Sequence, residues 1–283
     1  MGKIAIITDS SCDIEPVLLE KYDIYMLPLR IVFANEEFRD RLEITNTEIY
    51  SRMETELPTT SLPVPQDIID LFESLKAKGY EKVLGIFLSS QLSGTYNVIK
   101  NIAKDYEKDL EMHIIDSGQV SMGLGYGVLA AAKALQDCQD IHKAIAAMEK
   151  TLDSISIYFV VGTLEYLRKG GRIGHVSGTI GEMLQIKPIL KIEEGALAIE
   201  KKVKGRNKSI KTLMDLANEA VGQALKQVTI VHADDREEAL RVQAELESNQ
   251  YIKDIRIIDV SAVLGVHTGR GLLGIISATD FEY

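Results

Sequence analysis

The stretch SSQLSGTY, Ser89–Tyr96, joins a predicted strand to a predicted helix. The apolar run at 83–88 is typical of a buried strand, and the apolar residues after the stretch recur at the spacing of one helix face. Free backbone N–H groups at a helix start favour an anion, and hydroxyls such as those of Ser93 and Thr95 add donors. The stretch holds no Lys or Arg, so it suits a carboxylate or a neutral oxygen better than a polyphosphate. Helix capping by Ser93 or Thr95 is the alternative interpretation.

Length and composition limit the class of protein. At 283 residues the chain exceeds one typical domain, and we expect two α/β domains, 1–153 and 154–283. The net charge of −10 argues against a general nucleic-acid binder. Two cysteines, Cys12 and Cys138, provide neither a disulfide framework nor a thiolate metal cluster. The polar amino terminus and the lack of a membrane-length apolar run predict a soluble, cytoplasmic protein.

The first predicted strand, Lys3–Thr8, runs into the polar turn Asp9–Asp13. Ligands of α/β folds gather beyond the carboxyl ends of strands, so this turn is a candidate site. Asp9 and Asp13 are either metal ligands or caps, and the lack of a clustered third ligand favours caps. The apolar segment Ile24–Phe33 predicts one further strand.

Two other segments carry candidate polar groups. Leu57–Pro65 holds three prolines and predicts a stiff loop that presents Thr60 and Ser61 to a site, or else a simple linker. His267 and Thr268 are flanked by glycines in a predicted loop between two apolar strands, where they either point into a cleft or are structural. The glycine-rich segment 118–127 matches no nucleotide-binding motif, and no cofactor is predicted.

Several segments together resemble the DegV family, whose characterised bacterial members bind fatty acids and serve as the binding subunit of fatty acid kinase. The segments that carry the resemblance are Thr8–Asp13, Pro58–Pro65, Ser89–Tyr96, Asp116–Ser117, Thr163–Gly174 and His267–Gly269. Leu62, Val64 and Arg270 depart from the family pattern. The resemblance implies two α/β domains with the lipid between them. It also implies a carboxylate site made by Thr60 or Ser61, the turn Ser93-Gly94-Thr95, and His267 with Thr268.

Three functions compete at this stage. The first is a non-enzymatic carrier that binds a long-chain fatty acid and presents it to a separate fatty acid kinase, with no metal and no stable membrane insertion. The second is an esterase with Ser93 as nucleophile and His267 as base, although Ser93 does not lie in a G-x-S-x-G elbow. The third is a nucleic-acid-binding regulator that uses the basic run Lys201–Lys208.

The basic residues have alternative assignments. Lys201–Lys208 is either a solvated face or, with Arg206 at its centre, a docking site for the kinase. Arg172, together with Arg168, either contributes to docking or closes the mouth of the pocket.

Overall fold

The computed structural model describes residues 2–174, 176 and 186–279. Its strands, in chain order, are β1 (Lys3–Asp9), β2 (Ile24–Leu27), β3 (Arg30–Val32), β4 (Glu37–Arg39), β5 (Thr59–Ser61), β6 (Tyr80–Phe87), β7 (Glu111–Asp116), β8 (Ser156–Val160), β9 (Ile189–Glu193), β10 (Ala196–Lys201), β11 (Lys226–His232), β12 (Ile252–Asp259) and β13 (Leu273–Thr279). Its helices are α1 (Pro16–Lys21), α2 (Asn46–Arg52), α3 (Pro65–Ala77), α4 (Thr95–Ala103), α5 (Met122–Cys138), α6 (Ile141–Leu152), α7 (Glu165–Lys169), α8 (Arg206–Val221), α9 (Arg236–Leu246) and α10 (Ala262–Thr268). The expected α/β class is confirmed.

The first part of the chain builds a parallel four-stranded sheet in the order β2-β1-β6-β7. Its central strands are nearly continuous apolar runs, as expected where helices cover both faces. The carboxyl ends of β1, β6 and β7 share one edge, which brings Asp9, the Ser89–Tyr96 turn and Asp116 together. This edge forms one side of the site described below.

A small antiparallel sheet, β4-β3-β5, corrects two sequence-based expectations. The single strand predicted over Ile24–Phe33 is wrong, because the chain leaves the ladder at Pro28, which has no backbone N–H. The two pieces, β2 and β3, join different sheets. The proline-rich segment predicted as a loop contains β5, in which Thr60 pairs with Ile31 of β3.

The later part of the chain forms a mixed six-stranded sheet in the order β10-β9-β8-β13-β11-β12. Residues alternate between its two faces, as in any strand. Ile157, Phe159, Val231 and Ile276 join a hydrophobic cluster shared with the first part of the chain. Their neighbours on the other face pack against α8 and α9 in a separate cluster.

Helix α5 lies between the two larger sheets, and α6 packs against α5 and β13. Helix α5 contacts β1 and β6 on one side and β13 on the other. Its close approach to the turn that follows β1 requires glycine, because a Cβ at Gly125 would lie 2.5 Å from the carbonyl oxygen of Cys12. The described strands of the four-stranded sheet all precede residue 153, and those of the six-stranded sheet follow it. Division into domains 1–153 and 154–283 remains a prediction.

Helix α10 corrects a third expectation. His267 and Thr268, predicted in a loop, form the last turn of this helix, which ends at Gly269 with a φ of 69°. Among the described helices, none is long and apolar enough to cross a membrane.

Candidate functional site

A cavity of about 390 Å³ lies between the two larger sheets. Most of the residues singled out from the sequence line it: Thr60, Ser61, Ser93, Gly94, Arg172, His267 and Thr268. Thr95 is fully buried behind Ser93 and is not part of the lining. Arg206 does not line the cavity. Polar side chains from distant parts of the chain therefore meet at one cavity.

Carboxylates at the ends of neighbouring strands shape the turn that carries Ser93. Asp9 accepts a hydrogen bond from the backbone N–H of Leu88 at 3.0 Å, and Asp116 accepts one from that of Ser90 at 3.1 Å. The Oγ of Ser93 lies 2.9 Å from the Oγ1 of Thr95 and accepts a hydrogen bond from the Thr95 N–H at 3.3 Å. Ser93 thus supports the start of α4 and lines the cavity at the same time.

Thr60 and His267 form the second polar pair. Thr60 Oγ1 lies 2.7 Å from His267 Nε2, across a separation of 207 residues. Strand β5 holds Thr60 through its pairing with β3, and α10 holds His267. The Nδ1 of His267 packs on Gly170, where a Cβ would lie 2.2 Å away, and has no hydrogen-bond partner among the described residues.

Burial makes His267 a neutral imidazole near pH 7. Desolvation and, to a smaller extent, the positive charge of Arg172 together lower the pKa of His267 to about 4. We assign the ring proton to Nε2, because Thr60 Oγ1 can accept it there, whereas a proton on Nδ1 would be a buried donor with no acceptor among the described residues. With Thr60 accepting from His267, the Thr60 hydroxyl proton is free to point into the cavity.

Arg172 brings the positive charge at this end of the cavity. Its Nε donates to the carbonyl of Leu92 at 3.2 Å, and its Nη1 donates to that of Gly170 at 2.6 Å. The guanidinium therefore joins α7 to the turn that carries Ser93. Ser61 and Gly94 are exposed nearby, so the polar end of the cavity opens toward the surface.

Most of the remaining cavity wall is apolar, and much of it is buried. Much of it comes from residues that the sequence did not single out: Leu88, Ile157, Phe159, Leu197, Val231, Leu272 and Ile276. Ser121 also lines the cavity and was missed. A cavity with hydroxyls, one imidazole and one guanidinium at an open end, and hydrocarbon at the other, is suited to an amphiphile with a small anionic head.

The geometry does not support the esterase alternative. Ser93 pairs with Thr95, while His267 pairs with Thr60. No acid orients His267, because its Nδ1 has no partner in the part of the chain that the structure describes. A histidine with a pKa of about 4 is also a weak general base near pH 7.

Two other sets of candidate residues lie outside the cavity. Asp9 and Asp13 accept hydrogen bonds from backbone N–H groups, as caps do. Arg206 pairs with Asp235 at 2.8 Å and Glu238 at 3.4 Å and donates to the carbonyl of Gly271 at 2.8 Å. Arg206 therefore joins α8 to α9 and to the turn before β13, and its part in docking remains a prediction.

Known proteins resemble this chain in both sequence and structure. The profile of the family described as "Uncharacterised protein, DegV family" matches residues 3–280. A DegV domain-containing protein of Clostridium acetobutylicum is 38% identical over 98% of this chain and 99% of its own length. The crystal structure of DegV, a fatty acid binding protein from Bacillus subtilis, is 28% identical with a TM-score of 0.91, covering 99% of this chain and 100% of its own. A stearic acid-binding protein from Eubacterium ventriosum is 28% identical with a TM-score of 0.89, covering 99% and 98% of the two chains.

Proposed function

The chain belongs to the DegV family, and from that premise we propose that its cavity binds one long-chain fatty acid. The observation that carries the proposal is the polarity of the cavity, which is polar where it opens to the surface and apolar inside. The fatty acid binding stated for its structural relatives in Bacillus subtilis and Eubacterium ventriosum supports the same ligand class.

In this proposal the carboxylate lies among Thr60, Ser93 and His267. His267 donates to Thr60, and the hydroxyl of Thr60 donates onward to one carboxylate oxygen. Ser93 donates to the other oxygen, with Ser61, Gly94 and Thr268 bordering the site. Thr95 acts behind Ser93 and holds its hydroxyl in place. The acyl chain supplies most of the affinity, at about 0.8 kcal/mol for each buried methylene before association costs.

We further propose that the protein acts as a carrier of the bound fatty acid. The protein presents the carboxylate to a separate fatty acid kinase in the cytoplasm and is itself no catalyst. The polar end of the cavity lies beside the exposed Ser61 and Gly94, which supports access by a partner protein. The acyl phosphate made there then feeds phospholipid synthesis.

Solvent extraction of the purified protein, followed by mass spectrometry, tests ligand binding. We expect about one long-chain fatty acid per chain. The delipidated protein is then titrated with palmitate, and Ser93→Ala combined with His267→Ala should weaken palmitate binding by more than about tenfold. Absence of saturable palmitate binding by the wild-type protein would overturn the proposal.

The kinase partnership needs a separate test. Arg206 is a poor probe, because Arg206→Glu would place a third carboxylate beside Asp235 and Glu238. Lys204 and Lys208 lie in the same basic run and are exposed. Reversing both charges, as Lys204→Glu with Lys208→Glu, should slow acyl-phosphate formation by an added kinase while palmitate affinity stays unchanged. Equal rates for this variant and the wild type would exclude the run as the docking site.

A further inference from the structure

Helix α10 carries His267 in its last turn, so whatever fixes this helix fixes the histidine. The helix has seven residues, and its N-cap residue, Ser261, makes no side-chain cap hydrogen bond. The first N–H groups of a helix need acceptors from elsewhere. In α10 these acceptors come from carboxyl groups more than 200 residues away in the chain.

Asp40 and Asp13 are those acceptors. Asp40 Oδ1 accepts from the backbone N–H of Val263 at 3.2 Å, and Asp13 Oδ1 accepts from that of Ser261 at 2.9 Å. Both carboxyl groups are almost fully buried, with exposures of 0% and 2%. A buried carboxyl group at a helix start satisfies free N–H groups and complements the helix dipole.

The same small sheet holds both ends of α10. Asp40 follows β4, and its own N–H donates to the carbonyl of Leu29 beside β3, which continues the β3–β4 pairing. Thr60 lies on β5, on the opposite side of β3. The sheet therefore bonds the first turn of α10 through Asp40 and its last turn through Thr60 and His267.

The middle of the helix lies against the neighbouring helix α2. A Cβ at Gly265 would lie 2.5 Å from the Oη of Tyr50, so the two helices are in close contact there. With its start bonded and its middle packed, α10 has little freedom to shift along its axis. The 2.7 Å contact between His267 and Thr60 depends on that position.

We propose that Asp40 is a positioning residue of the fatty-acid site, acting through α10 to hold His267 Nε2 against Thr60. Asp13 supports the same helix by accepting from the N–H of Ser261, the residue just before its first turn. The inference rests on the proposed function for its effect on affinity, but the geometry that it describes exists in the protein without ligand. Asp40 touches neither the cavity nor the ligand and acts through the hydrogen bond to Val263.

The test compares Asp40→Ala, which removes the acceptor, with Asp40→Asn, which keeps one. Palmitate binding should weaken about five- to tenfold in Asp40→Ala and return close to the wild-type value in Asp40→Asn. Binding of hexadecanol, which has no carboxylate, should change little. Glu15→Gln is the matched control, since it breaks the ion pair with Arg256 (3.3 Å) between the same two parts of the chain without touching α10.

Two further measurements separate positioning from general stability. In a double-mutant cycle, Asp40→Ala and His267→Ala should be strongly non-additive for palmitate, because both remove the same interaction. Additive effects, or equal losses for palmitate and hexadecanol, would overturn the proposal.

In ligand-free protein, the ¹⁵N shift of His267 Nε2 should change alike in Asp40→Ala and Thr60→Val and stay unchanged in Asp40→Asn. An unchanged shift in Asp40→Ala would overturn the inference even if palmitate binds, whereas a wild type that binds no palmitate would overturn the proposed function alone.

Discussion

At the scale of single residues, Thr60 offers the sharpest test of the site, because its neighbour on β5 is a natural control. Thr60 lines the cavity, whereas Thr59 is exposed on the other face of the strand. Thr60→Val keeps the shape but removes the hydroxyl that accepts from His267. We expect palmitate affinity to fall about tenfold, as for one hydrogen bond to a charged group. Thr59→Val should leave affinity unchanged, and equal losses in isothermal titrations would contradict the assigned role of Thr60.

Asp40 also links stability to pH. Burial, with a smaller contribution from the charge of Asp13, raises the pKa of Asp40 from 3.8 to about 7. The hydrogen bonds from Ser10 and the Val263 N–H and the charge of Arg41 favour the charged form and oppose this shift. A carboxyl group whose pKa is higher in the folded protein than in the unfolded chain stabilises the fold. This contribution is complete at pH values below the pKa that the group has in the unfolded chain. That contribution is lost as the pH rises through about 7.

The pH effect is isolated by comparison with Asp40→Asn, which does not titrate. Between about pH 4 and pH 7, the unfolding free energy of the wild type minus that of Asp40→Asn should fall with rising pH. The slope is at most about 1.4 kcal/mol for each pH unit. Urea unfolding at several pH values measures the difference. A difference that stays constant over this range would show that Asp40 remains charged in the fold.

At the scale of secondary structure, one glycine lies behind the cavity wall, where a larger side chain would reduce the space for the acyl chain. Gly274 of β13 pairs with Phe159 on one side and Val231 on the other, and both of these neighbours line the cavity. A Cβ at Gly274 would lie 2.8 Å from Val231 Cγ2 and 3.0 Å from Phe159 Cβ. Gly274→Val should therefore push these side chains into the cavity and shift the preference toward shorter acyl chains.

A compensating substitution provides the control for that prediction. Val231→Ala removes the methyl groups nearest to the new side chain, so Gly274→Val with Val231→Ala should recover binding of longer acids. Affinities for a series of saturated fatty acids, from ten to eighteen carbons, measure the shift. Uniform weakening at every length would indicate general disruption of the sheet and would contradict a role in chain-length preference.

The individual strands and helices differ in how well they can be predicted from the sequence. The long apolar run of β6 and the amphipathic helix α4 were predicted close to their observed positions, because local pattern determines them. Strands β3 and β5 have three residues each and depend on each other, so tertiary pairing decides them. The apolar wall was missed for a related reason. Both faces of the six-stranded sheet are covered, so Phe159 on the inner face and Val160 on the outer face are equally apolar in sequence.

The polar end of the site was easier to predict, but not from single residues. Ser93, Thr60 and His267 each had an ordinary structural explanation, and only their combination resembled a known family. Asp40 carried no such signal. Its role arises because the chain returns more than 200 residues later to place Val263 beside it.

At the scale of the whole molecule, the cavity lies where the two larger sheets face each other. Ser89 Oγ donates to the carbonyl of Gly195 at 2.7 Å, and Asn46 Nδ2 donates to that of Val260 at 2.7 Å. These bonds join the two parts of the chain around the cavity, and one hydrophobic cluster is continuous across both. A bound acyl chain would add contacts to both sides at once.

This continuity predicts that the chain unfolds in one step and that the ligand stabilises the whole of it. Since a fatty acid that binds the folded state contacts both parts, it should raise the unfolding free energy by about 2.7 kcal/mol at a concentration of 100 Kd. Calorimetry of delipidated protein, with and without palmitate, should show one transition that moves to higher temperature. Two transitions, of which palmitate shifts only one, would mean that domains 1–153 and 154–283 fold independently and that the acyl chain is held by one of them.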